Sequence, residues 1–357
     1  MRRVVQFSTG NVGRHSLAAI IGRPDLDLVG VHASGPDKIG RDAAELCGLD
    51  MPTGIVATND IDALIALDPD CVVYTALGET RPTEAIEQMS CFLSAGINVV
   101  GTSMVWLVTP RQADDWLRVP LEQACAAGNS SLFVNGIDPG YSGDTAVHAA
   151  LSLVTRAESV TVKEIFDYGN YDDYEYTGAA MGFGTTADDD LPLAFQPGVI
   201  TSMFGGLVGN LADHLGVELD ELRQRYEPWY TAARIECAMM TVEPGQLAGV
   251  RFAVEGVRGG VPVITVEHTT RLTPAAAPEW EYPPHGQTGV HKVIVEGEPR
   301  IEVSTHLSHP ELDVTDAGCL STAARAVNAI DWVCRAPAGL VAIEDIPPTE
   351  LIRGLMW

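Results

Sequence analysis

The stretch that most constrains this chain is Val4-Val5-Gln6-Phe7-Ser8-Thr9-Gly10-Asn11-Val12-Gly13-Arg14, leading into His15-Ser16-Leu17-Ala18-Ala19-Ile20-Ile21. It reads as a short apolar strand, a glycine-bearing turn and a helix. Backbone N–H groups at a helix start point outward, and the helix dipole favours an anion there. The dinucleotide fingerprint asks for Gly-x-Gly-x-x-Gly. Here Ser8 holds the first glycine position, and Gly10 and Gly13 hold the second and third. Gly10 lets a pyrophosphate approach the backbone, and Gly13 lets the helix pack close to the strand. An ordinary tight strand–helix turn also carries two glycines three apart, so the residues beyond the turn decide the reading.

Beyond the first helix the chain alternates apolar runs with helical patterns. Leu26–Ala33, Ile55–Thr58, Cys71–Ala76, Asn98–Thr102 and Ser131–Asn135 read as strands, with helices over Ile61–Leu67, Pro82–Leu93 and Ala113–Gly128 between them. Such alternation implies right-handed crossovers and a mostly parallel sheet. The turn Asp138-Pro139-Gly140 marks an exit from this domain. Past that turn a helix is expected over Asp144–Arg156, then strands over Val160–Tyr168, Ile235–Val242, Val250–Val257 and Val261–Leu272, and a hairpin over His291–Ser304, with a packed helix over Gly198–Leu215. The fold class expected is α/β: a doubly wound parallel sheet of Rossmann type, then an α+β domain with an open, mostly antiparallel sheet. The domains are read as 1–140 for a dinucleotide, 141–316 for substrate and dimer contact, and 317–357 as a helix and strand returning to the first.

Charge and cysteine usage narrow the partners. The 357 residues carry 48 acidic against 22 basic side chains, a formal net charge of −26. Such a surface repels nucleic acid and anionic membranes. No apolar run approaches the roughly 20 residues of a membrane span, and no signal-peptide pattern opens the chain. The seven cysteines form no Cys-x-x-Cys pair, which argues against a zinc site and for a reducing, cytoplasmic setting.

Ligands of such sheets bind beyond the carboxyl ends of the strands. Ser8, Thr9, Gly10, Asn11, Val12 and Gly13 are therefore expected at a cofactor, with Thr75, Ala76 and Thr102 at neighbouring strand ends and Asn328 on the closing helix. No carboxylate ends the second strand. Ser34, Lys38 and Arg41 come after it and suit the 2′-phosphate of NADP, so NADP is preferred and NAD remains open. Candidate polar groups at the reacting atoms are His268, which shares a strand face with Val266, Tyr168, and Glu79. Met104, Trp106, Asp138 and Tyr174 are read as pocket residues together with Tyr168 and His268. Gly178–Gly184 reads as a flexible lid. No metal site is expected.

Val5-Gln6-Phe7-Ser8-Thr9-Gly10-Asn11-Val12-Gly13, Ser34–Asp42, Gly136-Ile137-Asp138-Pro139-Gly140, Ala323–Ile330 and Ala338-Gly339-Leu340 together resemble the dihydrodipicolinate-reductase-like group, within it the 2,4-diaminopentanoate dehydrogenase and native amine dehydrogenase branch. The resemblance implies an NAD(P)-dependent enzyme, usually a homodimer, that reduces an imine formed from a carbonyl compound and ammonia or runs the reverse deamination. Two departures stand out. The chain has no Glu-x-x-x-His-His segment, and Met104-Val105-Trp106 occupies the place where these amine dehydrogenases carry a glutamate. The expected function is hydride transfer to or from a hydrophobic carbonyl or imine. An ammonia-independent ketone or aldehyde reductase and a non-catalytic NAD(P)-binding sensor remain the alternatives.

Overall fold

A computed structural model describes residues 1–284 and 286–347. The last ten residues of the expected returning segment 317–357 therefore lie outside the described residues. The chain divides into two compact units, Met1–Ile137 with the segment from Cys319 onward, and Asp138–Gly318. The first is built on strands β1 (Arg2–Phe7), β2 (Leu26–His32), β3 (Ala57–Thr58), β4 (Cys71–Tyr74), β5 (Asn98–Gly101) and β6 (Ser131–Val134). Spatially they run β6, β5, β4, β1, β2, β3, all parallel, and Gly339–Val341 adds a seventh strand beside β6. The strand order reverses between β1 and β4, which makes the carboxyl ends of those two strands the natural ligand crevice. β4 and β6 are buried at every residue, the pattern of a sheet covered on both faces. One face packs Phe7, Met89, Phe92 and Leu121; the other packs Leu17, Ile20, Phe133 and Ile330 of the helix Val314–Val333.

The second unit carries β7 (Arg156–Asp167), β8 (Glu221–Tyr230), the short pair β9 (Ile235–Glu236) and β10 (Thr241–Val242), then β11 (Leu247–Arg258), β12 (Val261–Arg271), β13 (Gly289–Glu298) and β14 (Ile301–Thr305). Six of these form one sheet in the order β14, β13, β7, β12, β11, β8. Only the β7–β12 pairing is parallel. The helices Thr145–Leu151 and Val199–Leu215 contribute Val147, Phe204, Leu207 and Leu211 to the apolar cluster on the sheet's covered face, where Val162, Val250, Phe252, Val266 and Val293 meet them.

Several boundaries differ from the sequence reading. The helix after Asp144 stops at Leu151, and Arg156 already opens β7. Ile235–Val242 is not one strand, because Cys237 donates its N–H to Met240 across a turn. β8 escapes an apolar-alternation search: Arg223, Arg225 and Glu227 point to the open face and pair with Glu255, Glu267 and Arg251. Its Pro228 is tolerated because β8 is an edge strand. The glycine-rich segment 178–184 is anchored rather than loose. Phe183 is buried in the core and Gly184 donates its N–H to Leu247.

Candidate active site

The glycine turn after β1 has the geometry a pyrophosphate requires. Ser8 adopts φ 79°, the left-handed conformation that the missing first glycine would supply. A polar lattice holds it there. The Gln6 side chain, wholly buried, donates from Nε2 to the Ser8 carbonyl at 2.8 Å and to Thr75 Oγ1 at 2.9 Å, while Ser16 Oγ donates to Gln6 Oε1 at 2.7 Å. Gly13 has no room for a side chain, since a Cβ there would lie 2.4 Å from the Ser8 carbonyl oxygen. Gly10, at the N-cap of helix Asn11–Gly22, faces open space; the nearest atom to a Cβ there is 4.0 Å away. Asn11 and Val12 begin that helix. Thr9 Oγ1 is buried without a hydrogen-bond partner. An open helix N-terminus, an unpartnered hydroxyl and the lattice beneath fit a dinucleotide.

The groups expected around the cofactor take up varied positions. Lys38 Nζ donates to the Thr9 carbonyl at 3.1 Å, placing its charge on the turn itself. Ser34 is exposed, and Arg41 pairs with Glu45 at 2.8 Å. Asp42 accepts from Ala44, Thr53 and Gly54. It is therefore a structural cap in this stretch. Thr75 Oγ1 donates to the Phe7 carbonyl, Ala76 is buried, and Thr102 donates its N–H to Tyr74. Asn328 accepts from Arg23 at 3.0 Å. Glu79 accepts N–H bonds from Gly78, Met104 and Val105, so its carboxylate clamps the turn in which Met104 takes φ 68°. Burial raises its pKa and those N–H bonds oppose the rise. Met104 is wholly buried beside Gly78, and Trp106 packs edge-on against Trp116.

In the second unit, strand register builds a second cluster. His291 on β13 pairs with Glu164 on β7, Glu164 with His268 on β12, and His268 with Phe252 on β11. The four side chains therefore form one row on the covered face, next to Val162, Val266 and Val293 of the core. His268 is stacked on Phe252, with ring centroids 4.7 Å apart. Its Nε2 lies 2.9 Å from Asp138 Oδ2, at ion-pair distance without hydrogen-bond alignment, and its Nδ1 lies 3.7 Å from Glu164 Oε1. Tyr168 donates its hydroxyl to Glu164 Oε1 at 3.0 Å, and Ser142 donates to Asp138. Tyr168 is only partly buried, whereas the Asp138 and His291 side chains are 1% and 2% exposed. Tyr174 lies apart from the row and is exposed.

Burial and mutual charge set the protonation of this cluster. Burial raises the pKa of Glu164, and the charge of Asp138 raises it further, to about 7. For Asp138, burial acts upward, but His268 outweighs it and the carboxyl ends below its usual range. His268 is raised: burial acts downward, and Asp138 and then Glu164 overcome it. Burial pushes His291 down to about 4. Tyr168 rises well above its usual value through burial and then Glu164. At neutral pH the His291 imidazole is neutral and the Glu164 carboxyl is poised to gain or lose a proton, while His268 and Asp138 are each shifted toward their charged forms. Glu164, His291, Ser142 and Gln6 carry no motif. The parity of each strand shows which side chains point inward, but only register shows that they meet.

Comparison with known proteins places this geometry. A model of the 2,4-diaminopentanoate dehydrogenase C-terminal domain matches residues 144–356. An amine dehydrogenase of Streptomyces virginiae is 36% identical over 348 residues, covering 97% of this chain and 96% of its own. This chain belongs to the amine dehydrogenase family. It is an NAD(P)-dependent oxidoreductase. The 4-hydroxy-tetrahydrodipicolinate reductase of Trichormus variabilis is 31% identical over 107 residues, 28% of this chain and 37% of that protein. The amine dehydrogenase of Mycobacterium smegmatis shares the fold with a TM-score of 0.76 at 20% identity, over 97% of this chain and 96% of that one. Among the described residues, no helix is long and apolar enough to cross a membrane.

Two outcomes are expected of this member of the amine dehydrogenase family. Gly10→Val has space for its side chain, so its unfolding midpoint should stay near that of the wild type while NAD(P)H affinity drops about tenfold or more, as calorimetry can read. Unchanged affinity would remove the turn from cofactor binding. The second concerns Glu164, whose folded pKa of about 7 lies above its ordinary 4.5. Between those values the folded protein holds a proton that the unfolded chain has released, so stability falls as pH rises from about 4.5 to about 7. Glu164→Gln should flatten that decline in urea titrations, and a decline as steep as the wild type's would contradict the assignment.

Proposed function

We propose that this chain is an NADP-preferring amine dehydrogenase that interconverts a hydrophobic ketone or aldehyde plus ammonium with the corresponding amine. The observation that carries the reading is the buried line from Tyr168 through Glu164 and His268 to Asp138 in a chain otherwise alike, over nearly its whole length, to an amine dehydrogenase. When bound, the nicotinamide nucleotide supplies the hydride chemistry. The chain's own groups handle protons. Tyr168, the partly exposed end of the line, offers its hydroxyl to the substrate heteroatom. Glu164 behind it gains or loses the proton that this hydroxyl passes on. His268, stacked on Phe252 and held by Asp138, fixes the charge that Glu164 experiences. Glu79 serves by holding the Met104 turn in shape.

NADP preference rests on Lys38, whose ammonium group reaches the glycine turn, with Ser34 and Arg41 in the same loop and Asp42 already engaged as a cap. Homodimerisation is supported by the open face of the six-stranded sheet, where Lys163, Arg225, Glu255 and Glu267 form a lattice of both signs that suits a second copy of itself. Seven cysteines scattered without a Cys-x-x-Cys pair fit a reducing cytoplasm.

NADPH oxidation against hydrophobic ketones and aldehydes, with and without ammonium and with NADH in parallel, tests the reading. Oxidation that needs ammonium and runs faster with NADPH is expected. Oxidation indifferent to ammonium would make the chain a carbonyl reductase. Cofactor binding without any oxidation would favour the sensor.

A further inference from the structure

The cluster contains more polar capacity than its own members satisfy. Both ring nitrogens of His291 are buried without a hydrogen-bond partner, and Asp138 Oδ2 and His268 Nε2, also buried, have only each other at 2.9 Å. Burying unpartnered polar atoms is costly, and two carboxylates in one buried cluster repel. A cation with several N–H donors would serve the Asp138 oxygen and the acceptor nitrogen of His291, and would offset the second carboxylate charge. The spacing suits one. Ligand atoms of Asp138, Glu164 and His291 lie within 4.8 Å of one another. A centre among three atoms so spaced is no further than about 2.8 Å from any of them, the length of a charge-assisted N–H···O bond. His291 adds an acceptor, because burial keeps its ring neutral at neutral pH.

We infer that Asp138, Glu164 and His291 form a receptor for ammonium or a small protonated amine, with the two carboxylates and the neutral imidazole accepting its N–H bonds. The inference rests on the amine dehydrogenase reading and names the groups that hold the nitrogen in it. As the cation enters, the Glu164 carboxyl releases its proton to solvent and becomes the counter-ion. Tyr168, bonded to the same carboxylate, then borders the bound nitrogen.

The test is the thermal stability of the full chain with NADPH, titrated with ammonium or methylammonium chloride against sodium and tetramethylammonium chloride at equal ionic strength. A saturable rise in Tm is expected with the first two salts alone, since tetramethylammonium has no N–H donor. The rise should disappear in Glu164→Gln and in Asp138→Asn, and the KM for ammonium should increase about tenfold or more in Glu164→Gln. An equal response to all four salts, or a rise that survives both substitutions, would overturn the receptor. So would a saturable response to zinc or manganese that ammonium does not produce, which would make this a metal site. Ammonium binding without any turnover would keep the receptor and remove the amine dehydrogenase reading. Ammonium-dependent turnover with binding untouched by both substitutions would do the reverse.

Discussion

Two carboxyl groups, Asp138 and Glu164, are buried in the same pocket, and much of the second unit's chemistry derives from that. Like charges so placed cannot both ionise freely in a low-dielectric surrounding. The structure resolves the conflict unequally. Asp138 keeps its charge by pairing with His268, and Glu164 is left near the point where it exchanges a proton at neutral pH. A residue in that state is the usual requirement for acid–base work. The surroundings hold the arrangement in place, since His268 is stacked on Phe252 and meets Phe204 edge-on.

The first unit solves a different problem by a similar device. A dinucleotide turn needs a left-handed residue where β1 ends, and this chain supplies Ser8 rather than glycine. Holding a non-glycine residue there costs of order 1–3 kcal/mol, which the surrounding bonds must offset. Gln6, Ser16 and Thr75 form those bonds, and Gly13 removes the side chain that would collide with them. In both units a strand residue turned toward the interior carries a polar group whose partners come from elsewhere in the chain.

This explains what could be read from the sequence. The Rossmann sheet was legible because its strands are local apolar runs separated by helical patterns, and its turn has a fingerprint. Tyr168 and His268 were legible as residue types on strands of visible parity. The partners that give them a chemical setting were not. Glu164 and His291 lie far apart in the chain and meet only through the register of β13, β7 and β12. Glu79 shows the converse. Its position after β4 suggests a free acid, yet the N–H groups that occupy it belong to a turn some 25 residues later. Strand β8 was hidden because its outward arginines and glutamate make it look like a polar loop until Glu255, Glu267 and Arg251 are placed opposite them.

One buried row sets the proton affinities of His268, Glu164 and His291 apart from one another. Nitrogen-15 NMR of histidine-labelled protein, tracked from about pH 4 to about pH 9, tests it directly. His268 should keep both ring protons above its ordinary pKa of 6.5, and His291 should remain neutral down to about 4. Two rings titrating together near 6.5 would mean that Asp138 and Glu164 do not set the charge of this pocket, and the acid–base assignment would fall with it.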